Sequence, residues 1–214
     1  MQVAILLFER LTALDAVGPY EAISRVPGVE VVFAGERTGP VRDDVGSLSL
    51  TADATLTDVP RPDVIVVPGG PGQIAHMADG PVWRWLRAAD AHTTWTTSVC
   101  TGSLILAAAG LLTGRRATTH WLAMDQLAPL GAVPVEERVV TDGKYMTAAG
   151  VSAGIDMALG LVDRIAGATV AQAVQLGIEY DPSPPYAAGS PRVAPSEVVA
   201  VVQAHKRFIL TGFR

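Results

Sequence analysis

The sequence predicts a doubly wound α/β fold, a mainly parallel sheet with helices on both of its faces. Three observations lead there. Short uninterrupted apolar runs such as QVAILLF (2–8) and the core of DVIVVPGG (63–70) have the length and composition of strands buried on both sides. Stretches of helical composition separate these runs, and the alternation of strand and helix is what right-handed βαβ crossovers produce. Glycine and proline punctuate the joins, as at Pro68-Gly69-Gly70 and Gly18-Pro19.

Taken in order, 2–8 is the first strand, and PYEAISRV after Gly18 has helical composition. VEVVFAGE (29–36) reads as the second strand, while VGSLSLTADATL (45–56) alternates polar and apolar residues as a surface hairpin does. DVIVVPGG is the next buried strand and VWRWLRAAD (82–90) the helix after it. TTWTTSV (93–99) runs into Cys100, and LILAAAGLLTG (104–114) is a helix expected to stop at Gly114. After ATTHWLAMDQLAPLG (117–131) come short strands near VVTD (139–142) and KYMTAAG (144–150), then a long helix over VSAGIDMALGLVDRIAG (151–167). The Pro-rich EYDPSPPYAAGSPRVAP (179–195) is the long irregular segment, and a last helix follows it. Nothing resembles a linker or a repeat, so residues 1–214 are expected to form one domain.

Composition excludes several classes of function. Hydrophobic residues make up 49% and charged residues 17%, yet no apolar run approaches the roughly 18–20 residues of a membrane span. The start, MQVAILLFER, has no basic leader and reads as a strand, so a cytoplasmic protein is expected. A net charge of −5 without a basic cluster argues against a nucleic-acid partner. The one cysteine can form no internal disulfide, and no His/Cys spacing suits a structural metal, so neither metal nor cofactor is expected.

In such a sheet, chemistry gathers in the turns beyond the carboxyl ends of the strands. Cys100 lies in one of them, within Ser98-x-Cys100-x-Gly102, where small neighbours allow a sharp strand-to-helix turn. A helix start behind the sulfur is expected to lower the thiol pKa. A lone cysteine is usually a buried filler, but this placement favours a nucleophile. The glycines of VVPGGPGQ can either aim N–H groups at charge developing beside the sulfur or simply satisfy a tight turn. Asp15, in ERLTALDAVGPYEA, is either a helix N-cap or a proton carrier, and Pro19 favours moving the cap to Gly18. His120 lines the pocket or is a satisfied structural histidine, and no histidine adjoins Cys100.

LTALDAVGPYEA, VPGGPG, SVCTGSLILAAAGLLTGRRATTHW, VVTDGKYMTAAGVSAGIDMAL and EYDPSPPYAAGSP together resemble the isonitrile hydratases (isocyanide hydratases), in the ThiJ/PfpI branch of the class I glutamine amidotransferase-like superfamily. The resemblance covers nearly the whole chain. It implies a flavodoxin-like sheet, a homodimer, no cofactor, and hydration of an isonitrile to the N-substituted formamide through a cysteine thioimidate. By position it implies that Cys100 is the nucleophile and Asp15 the general acid/base. It places Thr101, Gly70 and Pro71 at the pocket beside the sulfur, and Gly150 and Val151 on the turn facing Cys100. Where typical hydratases read LDLTGP this chain reads LDAVGP, a difference that falls on pocket shape. A glyoxalase-, deglycase- or peptidase-like member of the same superfamily, also using Cys100, is one alternative; peptidase and deglycase relatives commonly carry His after the cysteine or Glu at the Asp15 position, whereas this chain has Thr101 and Asp15. A non-catalytic ligand sensor is the other alternative, disfavoured because the residues after Pro195 are too few and insufficiently basic for a helix-turn-helix pair.

Overall fold

The alternation of strand and helix becomes, in the computed structural model, a seven-stranded sheet. The structure describes residues 1–206. Its strands are β1 (Gln2–Leu6), β2 (Glu30–Gly35), β3 (Gly39–Arg42), β4 (Ser49–Ala52), β5 (Ala54–Thr55), β6 (Val64–Val67), β7 (Trp95–Val99), β8 (Arg116–Ala117), β9 (Val133–Pro134), β10 (Val139–Asp142) and β11 (Tyr145–Ala148). Its helices are α1 (Ala13–Ile23), α2 (Pro81–Asp90), α3 (Gly102–Ala108), α4 (Ala153–Ala166), α5 (Ala168–Gly177) and α6 (Ser196–Ala204), with short 3-10 turns at Pro71–His76, Trp121–Gln126 and Ala128–Leu130.

The sheet order is β10-β11-β7-β6-β1-β2-β5, and every pairing is parallel except the β10-β11 hairpin at one edge. β6, Val-Ile-Val-Val, is wholly buried, and four of the five residues of β1 are too. This is why these strands read as unbroken apolar runs and not as alternating ones. On one face Val99 meets Gly154 of α4, which packs against α1. On the other, Thr96 bonds Asp90 of α2, and α2 is tied to α3 by Trp83 Nε1–H to the Ala108 carbonyl (3.1 Å). The α2 side chains that go inward, Val82, Trp85, Leu86 and Ala89, recur at the spacing of one helical face.

The topology also makes the site. From β1 the chain moves outward to β2, then crosses back to β6 on the other side of β1. Connections therefore leave neighbouring strands in opposite directions and open a crevice at their carboxyl ends. The turns after β1, β6 and β7 meet there and carry Asp15, Gly69 and Cys100.

Several elements differ from the sequence reading. α1 starts at Ala13, with Thr12 at its N-cap, so Asp15 is not a cap and Gly18 does not begin the helix. Pro19 lies seven residues into α1, because packing against α4 outweighs the local preference of proline for a first turn. The hairpin pairs Gly39–Arg42 with Ser49–Ala52, so only its second strand falls in 45–56, and β5 leaves it to join the main sheet beside β2. α3 ends at Ala108; Gly110, at φ 79°, turns the chain before Gly114. Residues 168–177 add α5. The segment 179–195 has no helix or strand and is mostly exposed, and α6 follows it. The rest of the expected last helix, residues 207–214, lies outside the described residues. No helix among the described residues is long and apolar enough to cross a membrane.

Candidate active site

Cys100 occupies the sharp turn between β7 and α3 at φ 57°, a left-handed conformation that costs a non-glycine residue about 1–3 kcal/mol. Its surroundings fix that conformation from both sides. The Cys100 N–H points at the carbonyls of Ala148 and Ala149 (3.1 and 3.0 Å), while its own carbonyl accepts from Thr119 Oγ1 (2.9 Å) and Ser103 Oγ (3.2 Å). Close backbone approach is needed on either flank. A Cβ at Gly69 would lie 2.5 Å from the Thr101 nitrogen, and one at Gly102 would lie 2.7 Å from the Pro68 carbonyl oxygen. The sequence pattern of small residues around the cysteine thus has a steric cause.

Asp15 reaches this turn from the first turn of α1. The residue is fully buried; Oδ2 accepts the Gly69 N–H (2.9 Å), and Oδ1 has no hydrogen-bond partner. Burial raises its pKa from the ordinary 3.8 to about 7, against the opposing pull of the Gly69 N–H and the neighbouring Cys100 thiol, and the charge of Asp44 adds to the rise. At neutral pH the carboxyl therefore exchanges a proton readily.

The thiol behaves differently from the sequence expectation. Burial, reinforced by the Asp15 charge, pushes its pKa well above the ordinary 9.0. The N–H groups of Thr101 and Val151 and the Thr101 hydroxyl act in the opposite direction without overcoming burial. A helix start was expected to lower this pKa, but α3 has only seven residues and Cys100 is buried. At rest Cys100 is a neutral thiol beside a carboxyl that can take its proton.

The glycine turn also has a different task. The Gly69 N–H serves Asp15, and the Gly70 N–H donates to Thr101 Oγ1 (3.0 Å), so neither faces the sulfur in this state. Pro71, buried at the start of the following 3-10 turn, has no N–H to offer. The donors near the sulfur are instead Thr101 and Val151, the latter held at φ 32° in the turn before α4. His120 packs its ring against Gly150, where a Cβ would be 2.7 Å from Cδ2, and its Nδ1 accepts the Leu122 N–H (3.3 Å). That bond puts the proton of the neutral ring on Nε2, and burial lowers the pKa of the ring. His120 thus caps the turn at 121–126 and backs the Gly150-Val151 turn.

A cleft of about 800 Å³, lined in part by Phe8, Glu9, Arg10, Pro71, Gly72 and His76, opens on the far side of the glycine turn, and neither Cys100 nor Asp15 is in its wall. Among the described residues no three His, Cys, Asp or Glu side chains form a metal site.

Residues 1–164, which supply all three converging turns, match the DJ-1/PfpI family. The chain belongs to the DJ-1/PfpI family. Within it, the chain is 46% identical over 207 residues to the isonitrile hydratase of Pseudomonas putida, spanning 97% of this chain and 90% of that protein. It is 38% identical to a ThiJ/PfpI family protein from Pseudomonas syringae whose crystal structure superposes with a TM-score of 0.92, covering 99% of this chain and 90% of the other. The HTH-type transcriptional regulator CdhR of Pseudomonas aeruginosa is 35% identical over 136 residues, which are 62% of this chain and 40% of the regulator. The doubly wound fold, with one antiparallel edge hairpin, is therefore the DJ-1/PfpI one.

In this DJ-1/PfpI chain the structure brings together Cys100, Asp15, Thr101, Gly70 and Val151, with Gly150 and His120 immediately behind. Sequence reasoning counted Ser103 only as a small neighbour and missed Thr119; both donate to the Cys100 carbonyl, and the two acceptor carbonyls at 148 and 149 were missed as well. Thr119 lay in the Thr-rich run beside His120, but only the fold brings that run to Cys100.

Proposed function

We propose that this protein hydrates isonitriles to N-substituted formamides, with Cys100 as nucleophile and Asp15 as the proton carrier. The observation that carries the reading is the buried Asp15 carboxyl, with one unpartnered oxygen and a pKa near neutrality, beside a neutral buried thiol. The 46% identity to the Pseudomonas putida isonitrile hydratase supports the substrate class.

The chemistry follows from these two groups. Sγ of Cys100 bonds to the terminal carbon of R–N≡C while the Asp15 carboxylate takes the thiol proton. The carbon becomes carbanion-like on attack, and Asp15 returns that proton to it, giving the thioimidate R–N=CH–S. No net charge has been created in a site where an uncompensated charge would be costly. Water then adds to the thioimidate carbon as Asp15 accepts one of its protons and passes it to the nitrogen. Collapse breaks the C–S bond, releases R–NH–CHO and returns a proton to the sulfur. The carbon needs one proton from the pair, and burial of both groups, which raises both pKa values, keeps it there.

Thr101, Gly70, Pro71, Gly150, Val151 and His120 are assigned to the pocket wall around this pair. The N–H groups of Thr101 and Val151 offer hydrogen bonds to the sulfur as its charge changes during attack and release. Ala16 and Val17, where the usual motif has Leu and Thr, shape the wall beside Asp15. The same reading carries a cytoplasmic homodimer, supported by the exposed apolar side chains Leu176, Tyr186, Val193, Val198 and Val201 toward the C-terminal end. Light scattering of the purified chain is expected to give twice the monomer mass.

The test is direct: the purified protein is mixed with a simple aromatic isonitrile, and formamide is followed by chromatography. Catalytic formation is expected, and its absence over many protein equivalents of substrate overturns the reading. The identity to CdhR favours, as a second reading, a sensor that binds a small molecule without turnover; binding without formamide is its signature.

A further inference from the structure

Thr12 is the N-cap of α1, a position where a threonine hydroxyl ordinarily bonds its own helix, yet it makes no such bond. Its Oγ1 donates instead to Asp44 Oδ2 (3.0 Å). Asp44 belongs to the tight turn between β3 and β4 and is held from its other end, its N–H donating to the Leu11 carbonyl (2.9 Å). The adjacent Asp43 has another task, since its Oδ1 accepts the N–H groups of Gly46 and Leu48 (2.7 and 3.1 Å) and so closes the turn itself. Of two consecutive acids, one builds the turn and the other is carried to the start of the helix that bears Asp15.

We propose that Asp44 is a positioning residue for the Asp15–Cys100 pair, fixing the first turn of α1 through Thr12 and setting a second carboxylate against that of Asp15. The proposal rests on the reading of Asp15 as the proton carrier. A like charge nearby disfavours ionisation of a carboxyl, and Asp44 acts on Asp15 in that direction. The other groups acting on Asp15 come from the remaining elements around it: the Cys100 thiol from the β7–α3 turn and the Gly69 N–H from the β6 turn, both of which favour its charged form. α4, packed on α1, meets it with Gly154 and Ile155 against Pro19 and Gly18 and adds no charge there. Burial is the main cause that keeps a proton on the pair near neutral pH, and Asp44 is the charged side chain that adds to it against those two. It is half-buried, so solvent screens part of its effect.

Asp44→Asn isolates the charge, because asparagine has nearly the same shape and can still accept from Thr12. The chain has a single cysteine, so alkylation by iodoacetamide followed by intact-protein mass reads Cys100 alone, without any isonitrile. The alkylation rate is expected to rise with pH as the first proton leaves the pair, and Asp44→Asn moves that rise to lower pH by roughly half a unit. The acid limb of kcat/KM for hydration should move by the same amount, as a merely structural substitution would not make it do. Thr12→Val, which keeps the charge but frees Asp44, is expected to lower the rates several-fold with a smaller shift. In a sample shown to be folded by circular dichroism, limbs for Asp44→Asn and wild type that coincide within about 0.1 unit overturn the proposal. If the alkylation limb moves but the wild type forms no formamide, the hydratase reading fails and the role of Asp44 stands. If formamide forms and the limb does not move, the reverse holds.

Discussion

Two buried carboxylates sit at opposite ends of the central sheet and are treated in opposite ways. Asp90, at the end of α2 near the start of β7, accepts from Thr96 Oγ1 (2.6 Å) and Tyr145 OH (2.9 Å) and pairs with Lys144 Nζ (3.1 Å). Burial, and then Asp90 itself, push the Tyr145 phenol up to about 12, so it stays a donor at any physiological pH. Asp15, at the carboxyl end, receives one backbone N–H and leaves an oxygen unpartnered next to a thiol. A buried carboxylate with both oxygens partnered is architecture, since removing it leaves donors stranded. A buried carboxyl left short of donors holds a proton instead, and its free oxygen is where that proton can be exchanged.

The comparison is broken most severely at the partner that only Asp15 has. Cys100→Ala is expected to remove hydration entirely, by more than about a thousandfold, because no bond to the isonitrile carbon can form. Stability should be unchanged or improved, as alanine removes one small side chain, although the strained φ remains. Formamide production and a urea midpoint on the same sample decide it. Turnover near the wild-type rate would show that the nucleophile lies elsewhere.

Next in size is the exchange of each acid for its amide. Asp15→Asn should reduce kcat by about a hundredfold or more, since the amide neither takes the thiol proton nor delivers it to carbon. Asp90→Asn should leave kcat per folded molecule within a few-fold. Its effect is expected in stability, a loss of about 2–4 kcal/mol from setting an amide among Thr96, Tyr145 and Lys144, all placed for a carboxylate. Chemical denaturation alongside kcat measures both. If the two variants lose activity equally, the contrast between a structural and a functional acid is void.

The contrast also explains what was legible in the sequence. Cys100 could be read as a candidate nucleophile because its setting is local: a strand, small neighbours and a helix within ten residues. The fold could be read for the same reason, since β1 and β6 are buried on both faces and announce themselves as apolar runs. Asp15 was legible only as one of two possibilities, cap or proton carrier, because its surroundings, down to the Gly69 N–H 54 positions away, are set by the fold. The thiol pKa was misjudged because a helix start is visible in sequence while burial is a property of the packed molecule. The glycine N–H groups, free to face the sulfur on paper, are taken by Asp15 and Thr101 once β1, β6 and β7 lie side by side. Asp44 and Thr119 had no local signature, since the turn and the threonine run that carry them reach the site only through the fold.

The smallest effect expected is a pH dependence of stability that belongs to Asp15. Its folded pKa, about 7, lies above its ordinary 3.8, so between these values the folded protein keeps a proton that the unfolded chain has released. Folding is therefore favoured most below pH 4, and this contribution falls as pH rises through the window, by up to about 1.4 kcal/mol per pH unit. Above about pH 7 the folded state has lost its proton as well and the contribution is spent. Asp15→Asn has no proton to lose, so its stability relative to wild type should rise from pH 5 to pH 7 and then level off. Asp90→Asn supplies the control, as it leaves Asp15 in place and should retain the wild-type slope. Cys100 does not confuse the window, because its thiol is raised above 9.0 and titrates beyond it. Urea unfolding of the three proteins at pH 5, 6, 7 and 8 reads the slopes. A difference between Asp15→Asn and wild type that stays flat from pH 5 to 8 would mean that Asp15 is ionised throughout and its pKa is not raised, leaving the Cys100 thiol as the sole holder of the proton that the isonitrile carbon receives.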